Sequence, residues 1–104
     1  MADKKDYIGD DLKYLVVPEA GGFDPQLDDF EIEVISGSKH KTYAKSDLLD
    51  DGEGGFYLAI DTTGFKKGDL WAVVKMYVPD DDFPDGNRLE MVKQKLTTLW
   101  DVRK

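Results

Sequence analysis

The chain has 104 residues, a length that fits one domain, with 40% hydrophobic and 35% charged residues. It contains no cysteine, which excludes disulfide bonds, thiolate catalysis and cysteine-ligated zinc. The formal net charge of −8 at pH 7 repels phosphate backbones, so we expect no nucleic-acid partner.

The N-terminal residues are charged and contain no apolar run of signal-peptide length. No later segment approaches the roughly 20 apolar residues of a membrane-spanning helix. We therefore expect cytoplasmic synthesis without a signal peptide and no membrane partner, with a virion or other particle as a compatible destination. The chain is predicted to be one domain, 1–104, in which residues 1–8 form a loose leader.

The first predicted strand covers residues 12–17 and ends at Pro18, because proline cannot donate a hydrogen bond to a strand ladder. An acidic, glycine-containing loop follows. Residues 29–35 are the clearest strand, since apolar and charged residues alternate there with a period of two. That alternation places three apolar side chains on one face: Phe30, Ile32 and Val34.

Three further strands are predicted between glycine-rich and aspartate-rich turns: residues 41–44, 56–60 and 70–78. The last of these is the longest apolar segment and has bulky residues on both faces, so we expect it to be central in its sheet.

Residues 88–102 are compatible with either a strand or a helix. Leu89, Val92, Leu96 and Leu99 sit at helical spacing, whereas Val92, Leu96, Trp100 and Val102 sit at even spacing. The two threonines at 97–98 and the preceding strands favour a strand.

Six to seven short strands in about a hundred residues predict an all-β fold, a two-layer antiparallel immunoglobulin-like sandwich. A small open β-barrel is the alternative. The expected core comprises Leu12 or Leu15, Phe30, Ile32, Val34, Phe56, Leu58, Ile60, Val74 and Met76.

Catalytic signatures are missing from the sequence, so we expect no enzyme and no cofactor. His40 is the only histidine and lies between lysines beside a turn, where an exposed side chain is expected. The carboxylates fall in turns or on the polar phase of strands, which does not suit a catalytic pair. No glycine-rich phosphate-binding motif is present.

Two groups of residues are candidate binding sites. Asp80, Asp82 and Asp85 could bind calcium together with backbone carbonyls, although the spacing does not match an EF-hand. Trp71, Tyr77 and Phe83 could bind a carbohydrate or a peptide. Trp71 and Tyr77 share one strand phase and would form an exposed strip if the opposite phase is the core, but we expect Trp71 to be buried or half-buried.

Two stretches, 65–73 and 77–90, together with the start at 9–12, resemble small β-sandwich proteins encoded in phage-tail and prophage regions of gut bacteria. The first stretch is an apolar-x-x-Gly-x-apolar entry to a long strand, and the second is the loop rich in aspartate and proline. That family is similar to the immunoglobulin-like modules of tails and baseplates. The resemblance implies a structural or adhesion module and supplies no catalytic residues.

These observations predict a non-catalytic structural or binding module of a phage-tail-like or prophage-encoded assembly. Its expected partners are other proteins or further copies, joined through edge strands. The alternatives are a carbohydrate- or peptide-binding module and a calcium-binding β domain.

Overall fold

The computed structural model describes residues 4–102, which form eight β-strands and one short 3-10 helix. The helix is Lys45–Asp47. The strands are β1 (Asp6–Tyr7), β2 (Asp11–Val16), β3 (Phe30–Ser36), β4 (Lys39–Ala44), β5 (Leu49–Asp50), β6 (Phe56–Asp61), β7 (Gly68–Pro79) and β8 (Asn87–Trp100).

The strands form two sheets of unequal width. The larger sheet has the order β1-β8-β7-β3-β4, and the smaller one has the order β2-β6-β5. All pairs are antiparallel except β1 with β8, which are parallel. The predicted all-β, two-layer class is confirmed, and β7 is central as expected. The ambiguous C-terminal segment is a strand of 14 residues.

The core lies between the sheets and follows from the period of two along β3, β6 and β7. Phe30, Ile32 and Val34 point inward from β3, as the alternation predicted. Phe30 also stacks edge-to-face on Phe56 of β6, with ring centroids 4.9 Å apart. The buried apolar residues are Phe30, Ile32, Val34, Tyr43, Phe56, Leu58, Ile60, Leu70, Ala72, Met76, Val78 and Leu99.

Some expected core positions differ in the structure. Leu15 is 52% exposed, because it lies on the outer phase of β2, whereas Leu12 on the inner phase is half-buried against the core. Val74 is only half-buried, although it points into the sandwich. Its partial exposure indicates that the core is incompletely covered near β8.

A bulge in the β7–β8 ladder explains which C-terminal apolar residue is buried. Leu70 pairs with Thr97 but Trp71 pairs with Lys95, so Leu96 is the extra residue. The inserted residue changes the side-chain phase of β8. Leu99 is therefore fully buried, while Trp100, which even spacing from Val92 would place with the core, is 44% exposed.

The expected loose leader is wrong for the residues that form β1. Asp6 and Tyr7 pair with the end of β8, and the Ile8 amide donates to the Trp100 carbonyl at 3.0 Å. Thr62 secures the same corner, because its buried Oγ1 donates to the Asp10 carbonyl at 2.7 Å. Residues 1–3 of the predicted leader lie outside the described residues.

Across residues 4–102, no helix has the length and apolar character needed to cross a membrane.

Replacing Leu99 with alanine should cost about 2–5 kcal/mol of unfolding free energy, because a fully buried side chain is removed. Trp100→Ala is the matched control and should cost clearly less, since Trp100 is half-exposed. Urea denaturation of both variants measures the difference. Equal losses, or a larger loss for Trp100→Ala, would contradict the side-chain phase that the bulge sets.

Tyr43→Phe should leave the unfolding free energy unchanged or raise it by about 1 kcal/mol. The Tyr43 hydroxyl is buried and has no hydrogen-bond partner among the described residues, so its removal relieves a desolvation cost. Tyr57→Phe, at a half-buried position, is the control and should have little effect. A loss above 1 kcal/mol in Tyr43→Phe alone would show that the hydroxyl is bonded.

Candidate functional site

The three aromatic candidates do not come together on one surface. Trp71 and Tyr77 both lie on the outer face of the larger sheet, on β7. They are six positions apart along the strand, a distance of roughly 20 Å. Phe83 lies instead in the loop between β7 and β8, where it is 43% exposed. Binding of a sugar or peptide by these residues stays a prediction.

Trp71 is half-buried, as expected. It pairs with Ile35 of β3 on one side and with Lys95 of β8 on the other. The Lys93 ammonium lies 4.7 Å from the ring centroid, a cation–π contact that covers part of the indole. A sugar that stacked on this ring would have to displace the lysine.

Tyr77 is held by β3. Its hydroxyl donates to Glu31 Oε1 at 2.6 Å, and this hydrogen bond, together with desolvation, raises the pKa of Tyr77 above its ordinary value. A hydroxyl engaged in this way fixes the ring against the sheet rather than presenting it to a ligand.

The three aspartates of the calcium hypothesis shape the β7–β8 loop. The Asp80 carboxylate accepts from the Asp82 amide at 3.0 Å and pairs with Arg88 at 2.6 Å, and these interactions lower the pKa of Asp80. Asp85 accepts from the Asn87 amide at 3.1 Å. Within residues 4–102, no three acidic, histidine or cysteine side chains converge as metal ligands require. The geometry gives the calcium hypothesis no support.

Charged residues form a short ladder across the outer face of the larger sheet. Glu33 Oε2 lies 2.7 Å from His40 Nδ1, and Glu33 Oε1 lies 3.2 Å from Lys75 Nζ. The hydrogen bonds from His40 and Lys75 lower the pKa of Glu33. The single histidine is therefore exposed and engaged with a carboxylate on the outer face of the larger sheet.

A groove lies between the sheets, on the side where β2 faces β8. Its volume is about 330 Å³. We call it the β2–β8 groove. It is lined by Tyr14, Leu15, Val16, Val17, Pro18, Glu19, Ala72, Val74, Met76, Val92, Gln94 and Leu96.

The groove exists because the smaller sheet does not reach across β8. Val92 points inward, in register with Val74 of β7, yet it is 50% exposed. Gln94, on the same phase, is exposed as well. The inner face of β8 thus forms one open wall, and β2 with the segment after it forms the other.

The outer edge of β8 is also open. Along the part of the chain that the structure describes, β8 pairs with β7 on one side, but on its other side only Leu99 and Trp100 pair, with β1. From Asn87 to Thr98 that side presents main-chain N–H and C=O groups to solvent. The groove and the open edge adjoin each other along the same strand.

Polar groups in the groove are few. Glu19 supplies the only side-chain carboxylate of the lining, and Tyr14 and Gln94 supply the other polar side chains. Burial first, and then the charge of Asp6, raise the pKa of the Tyr14 hydroxyl. A single carboxylate without a nucleophile or base beside it suits binding of an apolar segment better than acid–base chemistry.

Sequence reasoning missed the groove, although it singled out Val92 and Leu96. Their even spacing signalled a strand, whereas the basic residues between them suited a helix. Nothing in that pattern shows that β8 lies next to the sheet edge, because strand order depends on pairings between segments far apart in the chain.

His40→Ala should raise the pKa of Glu33 towards that of an ordinary glutamate, because the larger of the two hydrogen-bond contributions is removed. A carboxyl whose pKa is lowered by folding stabilises the fold above its unfolded pKa, and this contribution is lost as the pH falls through the folded value. NMR titration of the side-chain carboxyl measures the pKa. Lys13→Ala, in the other sheet, is the control, and an unchanged pKa in His40→Ala would refute the assignment.

Comparisons of the chain with protein-family models, with curated proteins and with solved structures found no match.

Proposed function

We propose that this protein is a non-catalytic module that binds another protein chain by accepting an added strand at the open edge of β8. The observation that carries the proposal is the coincidence of an unpaired edge with an apolar groove along one strand. Strand addition needs both features, since main-chain hydrogen bonds give affinity and side-chain pockets give specificity.

The exposure of Val92 supports this reading. An added strand would place every second side chain beside Val92, on the groove side, and would thereby bury apolar surface that is now half-exposed. Each further apolar side chain buried there contributes about 1.5–3 kcal/mol.

The length of the open edge also supports the proposal. Soluble proteins protect long exposed edges, because such edges pair with any available strand. The opposite edge of the larger sheet, β4, is only 6 residues long, and the 3-10 helix that follows it contacts β3. The open part of β8 is about twice as long.

The arrangement of reactive groups favours a non-catalytic role. His40 bonds to Glu33 on the outer face of the larger sheet, away from the groove lining. The groove itself offers one carboxylate, Glu19.

We further propose that the module belongs to a phage-tail-like or prophage-encoded assembly and is related to immunoglobulin-like tail modules. The resemblance of residues 65–73 and 77–90 motivates this, and an edge at which a neighbouring subunit can add a strand is compatible with it. Genes for tail or baseplate proteins on either side of this one would support the assignment.

Selection from a displayed library of random nine-residue peptides tests the binding function without a known partner. We expect selected peptides to shift the NMR signals of amides in residues 88–96 and to slow their hydrogen exchange. Selected peptides that contact only the outer face around Trp71, or a failure to select any binder, would contradict the proposal.

Val92→Asp should weaken binding of the selected peptides at least about tenfold, because a charge would then stand in the apolar groove. Leu27→Asp is the matched control, since it introduces the same charge at a loop residue that is 83% exposed. Affinities measured by isothermal titration calorimetry should remain unchanged in the control. Equal affinities for wild type and Val92→Asp would place the binding site elsewhere.

A further inference from the structure

We propose that the strand received by β8 alternates apolar and acidic side chains, with the apolar set in the β2–β8 groove and the acidic set beside Lys93 and Lys95. The inference rests on the proposed function, because it defines the chemistry of the partner at the same edge.

The phase of β8 determines which side chains an added strand brings to each face. Val92 and Gln94 point into the groove, whereas Met91, Lys93 and Lys95 point to the outer face of the larger sheet. Directly opposite residues on neighbouring strands share a face of the sheet. The partner's side chains must therefore alternate between the groove and the lysines.

The groove selects apolar side chains. Its floor consists of Ala72, Val74 and Met76, while Val92 of β8 and Val16 of β2 contribute to its walls. An acidic side chain placed there would lose its hydration without gaining a cationic partner, because the lining contains no lysine or arginine.

The outer face selects acidic side chains. Lys93 and Lys95 stand two residues apart on the same face of β8, so their charges recur with the period of an added strand. Lys95 lies 3.1 Å from Asp69, but its side chain is still 47% exposed, and Lys93 rests against the Trp71 ring without an acidic partner in the contacts described for residues 4–102. Opposite charges at facing positions stabilise strand pairs, and like charges destabilise them.

The charge of β8 argues against a second copy of this chain as the occupant. Arg88, Lys93 and Lys95 outnumber its one acidic residue, Glu90, so two β8 strands carry the same sign. An antiparallel pair centred on Lys93 or Gln94 would place lysine opposite lysine. A partner strand with acidic side chains would place opposite charges beside Lys93 and Lys95 and would avoid the repulsion between facing lysines.

Synthetic nine-residue peptides test the pattern with the intact protein. In three of them valine alternates with a second residue, which is glutamate, serine or lysine. The fourth has the composition of the glutamate peptide, but its valines and glutamates form two separate blocks. In calorimetry at low salt, we expect the alternating glutamate peptide to bind about tenfold more tightly than the lysine peptide and more tightly than the block peptide. Added salt should reduce this preference. In NMR spectra of the same mixtures, the amide signals that shift on binding should belong to β8.

Exchanging the charge on β8 should reverse the preference. The double variant Lys93→Glu, Lys95→Glu is expected to bind the lysine peptide better than the glutamate peptide. The matched control, Lys39→Glu with Lys41→Glu, makes the same charge change on β4 at the opposite edge and should keep the wild-type order. Amide spectra that match the wild type establish that both variants fold.

The outcomes separate this inference from the function on which it rests. Equal binding of the glutamate, serine and lysine peptides at β8 would overturn the acidic partner but leave strand addition intact. Binding of none of them, with no library peptide contacting β8 either, would overturn both. Concentration-dependent dimers whose contacts map to residues 88–96 would identify a second copy as the occupant and overturn the acidic partner.

Discussion

The unequal width of the two sheets is the constraint on which the other features depend. Within residues 4–102, the larger sheet places β3, β4, β7 and β8 against a smaller sheet in which β2 and β6 have 6 residues each and β5 has 2. The strands β2 and β6 can cover β3 and β7, and the twelve buried apolar residues lie mainly on those strands and on β6. They cannot also cover β8. The half-exposure of Val74 and Val92, the groove and the open edge all follow from this mismatch.

The ends of β8 are secured even though its middle is open. The bulge at Leu96 turns Leu99 into the core, and β1 pairs alongside it. At the other end, Arg88 joins Asp80 to the Gly21 carbonyl, which ties the β7–β8 loop to the loop before β3. A strand that pairs with β7 on one side, is held at both ends and is open only along its other edge is ordered before a partner arrives. Such a strand loses little conformational entropy when another strand is added.

The outer face and the groove face of β8 differ in chemistry, and the difference is what makes a partner specific. The outer face carries lysines that interact with Trp71 and Asp69, while the groove face is apolar. A strand with uniform side chains would suit only one of the two environments. The requirement for alternation therefore comes from the period of two in β8 itself, combined with the different surroundings of its two sides.

The fold class and most of the core could be predicted from local sequence patterns. The alternation in residues 29–35 identified β3 and its inward residues, and the apolar density of residues 70–78 identified a central strand, because both signals are local and depend only on side-chain phase. The turns rich in aspartate and glycine were equally evident. Trp71, expected to be buried or half-buried, is half-buried.

Three features could not be predicted from local patterns: the phase of Leu99 and Trp100, the pairing of Asp6–Tyr7, and the position of β8 beside an open groove. A bulge of one residue leaves almost no trace in a hydrophobic pattern, yet it exchanges the two faces of a strand. Strand order depends on contacts between distant segments, as the hydrogen bond from Thr97 to Asp6, 91 residues apart, illustrates. Local periodicity describes what each strand could bury, but which strands remain uncovered depends on how many of them the opposing sheet can reach.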